Sequence, residues 1–311
     1  MIHIATVHWR SDRWIDIQLR YFERNIDEPY RVYAWIDPEM RDQAGKFFYS
    51  TDVPIRQHGL NKQHELKLTL LGDLIAHAAS PDEMIVFIDG DAFPVAPIVP
   101  FLREKLERYP IVAIRRDENN GDPQPHPSFC AMTAGLWREL PGDWRRGHTW
   151  RNAQGEEVTD VGGNLLELLE ERGIEWYPML RSNKINPHPL QFGLYEDLVY
   201  HQGGGFRRTA GGRISWMPRQ RSLEGTWRGR LVSRLPKRGR LGGIRRRLDP
   251  VRRYREDLAG QLAETNERVF ELIRRDQEFY RQLIEPERGG ELTEISAPAP
   301  AEGAEELSAT R

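Results

Sequence analysis

A single cysteine, Cys130, stands among 311 residues. One thiol excludes an intrachain disulfide and any zinc site built on cysteine pairs, and it fits a reducing cytosol. Also missing is an apolar run of about 20 residues, the length a bilayer-spanning helix needs. The longest apolar stretch, Met84 to Leu102, is interrupted by Asp89, Asp91, Pro94, Pro97 and Pro100. The opening MIHIATVHWR has no basic stretch ahead of an apolar block, which predicts no secretory signal. Net charge is nearly absent, -2 at pH 7, and mean hydropathy is low at -0.67. With 39% hydrophobic and 30% charged residues, the chain reads as a soluble globular protein with an extra polar segment. Its 36.2 kDa is enough for one large or two small domains that need no disulfide or metal staple.

The near-neutral total hides an asymmetry. Residues 207–255 contain 17 Lys+Arg against only Glu224 and Asp249, a local net charge of +15, so the remainder carries -17. An acidic body bearing a basic segment points to an anionic partner.

The first 110 residues alternate strand and helix signals. Ile2 to Val7 and Tyr30 to Ile36 read as strands, the second stopped by Asp37-Pro38. Asn61 to Ala79 has helical spacing, with Leu66, Leu70, Leu74 and Ala78 as the expected buried face. Met84 to Ile88 is apolar throughout, as for a central strand covered on both faces, and Ile111 to Ile114 is another. This alternation predicts an α/β fold with a mostly parallel sheet. Asp117 to Pro127 reads as a loop, Ser128 to Thr133 as a strand, Asn164 to Glu171 as a helix, and Asp197 to Tyr200 as a strand running into His201. The predicted organisation is a domain over 1–220, a basic Arg/Gly-rich linker over 221–248, an amphipathic helix over 249–285 and a disordered tail over 286–311.

Three motifs carry chemistry. Asp89-Gly90-Asp91 leaves the carboxyl end of the MIVFI strand, where open α/β sheets place ligands. Two neighbouring carboxylates there are either a solvated turn or a cation site, and a cation offsets their repulsion. YHQGGGFRR joins His201 to Gly203, Gly204 and Gly205 and to Arg207, a combination of exposed amides and positive charge that suits a diphosphate, or else a glycine hinge. Thr159-Asp160-Val161-Gly162-Gly163-Asn164 precedes a helix, where Asp160 is either a cap or a reactive carboxylate. The tryptophans Trp144 and Trp150 are either core or sugar-stacking, and His126 and His188, both beside prolines, read as loop structure.

The order of these features resembles the nucleotide-sugar glycosyltransferases of the GT-A fold, over about Ile2 to Arg208. The resemblance rests on ATVHW, VYAWID, the helix with Lys67, IVFIDGDAFP, SFCAMTAGLW, TDVGGNLLELL and YHQGGG. In motif order it is most similar to the glycogenin-like and lipopolysaccharide-galactosyltransferase-like group. His201 is followed by QGGG, and the Ser128 to Thr133 strand lacks the asparagine-glycine pair common in that group. The resemblance implies a GT-A domain with a C-terminal helical extension, acting as a hexosyl-type glycosyltransferase. It implies Mn²⁺ or Mg²⁺ held by Asp89, Asp91 and His201, with the imidazole favouring Mn²⁺. Asp89 would also touch the donor. Thr6 and His8 would line the nucleotide slot, Asp37 its base side, Lys67 a phosphate, and Gly203, Gly204 and Arg207 the diphosphate. Asp160 would be the acceptor-side carboxylate, a general base in an inverting enzyme or a hydroxyl-binding group in a retaining one.

A sugar nucleotidyltransferase shares the fold but needs a glycine-rich basic loop after the first strand, where this chain has His8-Trp9-Arg10-Ser11. A haloacid-dehalogenase-type phosphatase continues its Asp-x-Asp with Gly and Thr, where Ala92-Phe93 follow here. A non-enzymatic reading makes residues 207–255 a nucleic-acid or anionic-membrane binder. The expected partners are a nucleotide-diphosphate sugar, a glycan, lipid-linked or small acceptor, an anionic surface through 207–255, and a second copy through the 249–285 helix. The expected location is the cytoplasm, with a peripheral station at the inner face of the membrane.

Overall fold

Six consecutive buried residues, Ile2–Val7, form the first strand, β1, and both of its faces are covered. The computed structural model describes residues 1–55, 63–119, 121–152, 155–188, 190–203, 226–236, 245 and 247–296. After β1 come α1 (Ile15–Asn25), β2 (Tyr30–Trp35), β3 (Tyr49–Thr51), α2 (Gln63–Ala78), β4 (Met84–Asp89), β5 (Ala92–Pro94), α3 (Val99–Leu106) and β6 (Ile111–Ile114). Then follow β7 (His126–Thr133), α4 (Ala134–Glu139), β8 (Trp150–Arg151), β9 (Glu157–Val158), α5 (Gly163–Glu171), β10 (Tyr177–Met179), β11 (Gly193–Tyr195) and β12 (Val199–His201). The C-terminal helices are α6 (Trp227–Ser233), α7 (Pro250–Arg275), α8 (Arg281–Ile284) and α9 (Glu291–Ser296).

The main sheet runs β10-β6-β7-β4-β1-β2-β3. Only β7 is antiparallel to its neighbours. This is the α/β architecture with a mostly parallel sheet expected from the alternation of strand and helix signals, with one strand reversed. Alternation along each strand divides the core in two. Ile2, Ile4, Val86 and Ile88 meet Ile15 and Phe22 of α1 and Leu102 of α3 on one face. Ala5, Val7, Ile85 and Phe87 meet Leu68, Leu71 and Ile75 of α2, Trp137 of α4 and Leu165 of α5 on the other. The α2 face is therefore not the expected one. Leu70 and Leu74 are each 41% exposed, while Leu68, Leu71 and Ile75 are buried. Both sets satisfy helical spacing, and the helix turns the Leu68 set inward, where Phe87 and Trp137 already crowd Gly72. Trp144 is core, packed on Trp137 and Phe87, and is closed to a sugar.

The chain divides into two units, Met1–Phe206 with Asp276–Arg311, and Arg207–Arg275. The boundary expected at 220 lies outside the described residues. Within the expected linker, Thr226 accepts from the Gly229 amide at 3.1 Å and caps α6. The single helix expected over 249–285 is two pieces, α7 and α8, with turns at 277–280 between them. The expected tail is helical at its start: Pro286–Arg288 is a 3-10 turn, and α9 buries Leu292. Leu292, two residues beyond Gly290, is buried, which composition alone does not reveal.

Within the first unit the returning segment is tied to the sheet end. Tyr21 donates its hydroxyl to the Gln277 carbonyl at 3.1 Å, and Arg24 pairs with Gln277 and Glu278. The amides of Lys184 and Ile185 donate to the Leu283 carbonyl at 2.8 and 3.1 Å. Phe279 fills an aromatic cluster with Tyr200 at 4.9 Å, Phe93 at 6.3 Å and Tyr21 at 6.5 Å between ring centroids.

Candidate active site

The carboxyl ends of β1, β2 and β4 are in register, Val7 lying opposite both Trp35 and Asp89. Residues just beyond them, His8, Asp37 and the Asp89-Gly90-Asp91 turn, therefore share one edge. Gln18 on α1 fixes that turn. Its amide donates to the Asp89 and Ala92 carbonyls at 2.8 and 2.7 Å, and its carbonyl accepts from the Thr6 hydroxyl at 3.3 Å.

His201 reaches the turn through a small second sheet, β11-β12-β5. The strand running into His201 is β12, which pairs antiparallel to β5, placing His201 opposite Ala92, and the Gln202 amide donates to the Asp91 carbonyl at 3.0 Å. The result is a cluster in which ligand atoms of Asp89, Asp91 and His201 all lie within 4.8 Å of one another. His201 Nε2 is 3.3 Å from Asp89 Oδ2 and 3.6 Å from Asp91 Oδ1. Two hard carboxylates and one borderline imidazole, converging at a turn, fit a divalent cation such as Mn²⁺ or Mg²⁺.

His64, at the start of α2, occupies the other side of Asp89, its Nε2 3.1 Å from Oδ1. Burial disfavours a charged His64, yet the Asp89 carboxylate outweighs it and raises the imidazole pKa. Burial alone would raise Asp89, but His64 and His201 hold it well below the usual carboxylate range. His64 thus stands beside Oδ1, and His201 beside Oδ2. Loss of such a supporting donor costs about 10-fold or more in cation affinity. His64→Ala is therefore expected to weaken Mn²⁺ binding by roughly that factor, and His64→Gln, which keeps an N–H near the same place, to retain most of it. Calorimetric Mn²⁺ titration checks this; an Ala variant with wild-type affinity removes His64 from the site.

A second polar cluster lies on residues flanking β7 and α5. Arg116 is buried, 2.6 Å from Asp160 Oδ2 and 3.5 Å from Asp122. Asn119 donates to Asp160 at 3.2 Å, the Val161 amide donates to Oδ1 at 3.0 Å, and Arg146 stands 3.8 Å away. Burial would strip the Arg116 proton, but Asp160 and Asp122 keep it charged and raise its pKa. Asp122 is raised by its own burial. Asp160 does not cap α5: the cap is Gly162, at φ 94°, where a side chain would strike the Pro125 carbonyl. His126, the first residue of β7 and not a loop residue, lies between the clusters. Its ring is 6.3 Å from that of His201, and its Nδ1 is 2.8 Å from the Ser128 hydroxyl. Burial and then Arg116 push its pKa well down, so it is neutral.

The remaining expected contacts divide. Lys67 is buried, 3.4 Å from Asp37, so it is neither a solvated helix lysine nor free of a partner. Thr6, in β1, and His8, directly after it, are fully buried. Gly203 has φ 74°, a conformation that glycine adopts readily. Gly204 and Arg207 lie outside the described residues. Gln18, a polar residue in the apolar stripe of α1, and Arg116, a charge two residues past the end of a buried strand, carried readable signals; His64 carried none.

His8 makes the fold sensitive to acid. Burial lowers its pKa to about 4, against 6.5 in an unfolded chain. Between those values only the unfolded chain takes up the proton, so stability is full above pH 6.5 and falls as pH drops toward 4, by up to about 3 kcal/mol. The melting temperature is expected to fall over that range and to fall less in His8→Gln. Parallel pH curves for the two proteins would contradict this.

No family model matches the chain, and no curated protein matches it. Solved structures similar to it include S. aureus TarS, at 10% identity and TM-score 0.33 over 46% of this chain and 30% of that one. Another, from Bacillus anthracis, is described as a glucose-1-phosphate thymidylyltransferase in complex with a sucrose, at 12% identity and TM-score 0.37 over 63% of this chain and 89% of that one. A third is the apo-form glycosyltransferase GlyE of Streptococcus pneumoniae TIGR4, at 12% identity and TM-score 0.34 over 57% of this chain and 44% of that one. The chain thus spans less than half the length of TarS and of GlyE.

Proposed function

We propose that this chain is a metal-dependent glycosyltransferase that moves a sugar from a nucleotide-diphosphate donor to an acceptor hydroxyl. The observation that carries this reading is the convergence of Asp89, Asp91 and His201 at the carboxyl edge of the sheet. A divalent cation held there supplies charge stabilisation for a departing diphosphate. In the reaction the bond from the sugar anomeric carbon to the diphosphate oxygen breaks, and a bond to the acceptor oxygen forms. The acceptor proton passes to an oxygen of the departing diphosphate or to solvent, and the nucleoside diphosphate departs with the bonding pair.

Asp89, Asp91 and His201 would hold the cation, and Gln18 and His64 contact the Asp89 turn. Gly203, Gly204 and Arg207 follow His201 in sequence, and we assign them to the diphosphate. Asp37, anchored by Lys67 and by the Arg10 amide at 2.9 Å, is assigned to the nucleotide end. Asp160 is assigned to the acceptor side. A carboxylate 2.6 Å from a buried guanidinium is a poor proton acceptor, so orienting hydroxyls suits it better than acting as a general base.

The test is a panel of nucleotide sugars with Mn²⁺, scored for the nucleoside product. Release of nucleoside diphosphate supports glycosyl transfer. Formation of nucleotide sugar from a nucleoside triphosphate and a sugar phosphate, with pyrophosphate release, would instead identify a nucleotidyltransferase. Phosphate release from a phosphomonoester alone would favour the phosphatase reading.

A further inference from the structure

Helix α6, within the basic segment, turns apolar side chains toward water. At about 100° per residue, Trp227, Leu231, Arg230 and Arg234 share one arc, and Gly229 and Val232 lie on the other side. Gly229 and Val232 are the buried pair, and α6 packs on α7 of the same unit. On the outer arc Trp227 is 71% exposed and Leu231 is 54% exposed, with Arg230 and Arg234 exposed beside them.

We infer that α6 docks the chain on an anionic lipid surface, with Trp227 and Leu231 entering the boundary between headgroups and acyl chains and Arg230 and Arg234 meeting lipid phosphates. Three observations converge. Tryptophan and leucine one turn apart, flanked by arginines, form the amphipathic surface of an interfacial helix. The surrounding residues 207–255 carry a net charge of +15, complementary to an anionic surface. No described helix is long and apolar enough to cross a membrane, so attachment through this element is to a surface. Arginine stems also reach from an apolar boundary to phosphate height. A nucleic acid would meet the arginines through its phosphates but offers Leu231 no apolar phase to enter. The inference does not rest on the transferase reading, and either can fail alone.

The experiment is flotation of the full chain with vesicles of phosphatidylcholine alone, or with about 30% phosphatidylglycerol, at low and high salt. Binding to the anionic vesicles and not to the neutral ones is expected. Trp227→Ser with Leu231→Ser is expected to lower partitioning at least about tenfold, with unchanged circular dichroism and melting temperature, whereas Leu231→Phe retains binding. A double variant that binds like wild type, or a wild type that ignores anionic vesicles, overturns the assignment. So does duplex DNA that displaces the chain from vesicles and binds both proteins equally, which would make the basic segment a nucleic-acid surface.

Discussion

Asp91→Asn is expected to abolish the proposed cation-supported donor cleavage and to leave the fold intact. Asp91 is buried at a turn beside a second carboxylate and an imidazole. Two carboxylates balance a divalent cation; one leaves the site a charge short. The amide is nearly isosteric, so packing is preserved and the cost falls on the cation, with at least about a hundredfold loss of turnover at limiting Mn²⁺. The substitution also removes one of two like charges held close together, so the cation-free melting temperature is expected to stay level or rise. An increase in melting temperature with Mn²⁺ is expected for the wild type and not for the variant, since a ligand stabilises only the state it binds. Wild-type turnover in Asp91→Asn at limiting Mn²⁺ would remove the residue from the cation site.

The second large effect comes from a residue far along the chain. Phe279→Ala is expected to cost about 3–5 kcal/mol, because it empties a fully buried aromatic site. Its partners make the position informative. Phe93 lies two residues after Asp91, and Tyr200 immediately precedes His201. Both rings lean on Phe279, so the cavity opens directly behind the strand pair that brings the histidine to the carboxylates. Phe279→Leu, which fills most of that volume, should recover most of the stability. The check is denaturant unfolding of both variants, followed by Mn²⁺ titration of the Leu variant. An Ala variant as stable as wild type would mean the returning segment is not packed on the sheet end.

The sheet was legible because its strands are blunt signals. Met84 to Ile88 and Ile111 to Ile114 are wholly apolar, and only a strand covered on both faces needs that. The acidic turn could be read from its place after such a strand. The path of His201 could not, because β12 is three residues long and its pairing with β5 is set by contacts across more than a hundred positions. The α2 face was misread because Leu66-Leu70-Leu74 and Leu68-Leu71-Ile75 both fit a helical period, and only the position of Phe87 and Trp137 decides which turns inward. His64 is a single polar residue at a helix start, meaningful only once Asp89 stands beside it. Phe279 looked like one more position in an amphipathic stripe, yet it belongs to a different unit from α7.

The most direct test is a calorimetric Mn²⁺ titration of wild type and His201→Ala, with circular dichroism confirming that both are folded. A site shared by Asp89, Asp91 and His201 predicts an affinity at least about tenfold weaker in the variant, with the wild-type preference for Mn²⁺ over Mg²⁺ reduced. Superimposable titration curves for the two proteins would contradict a cation site that includes His201.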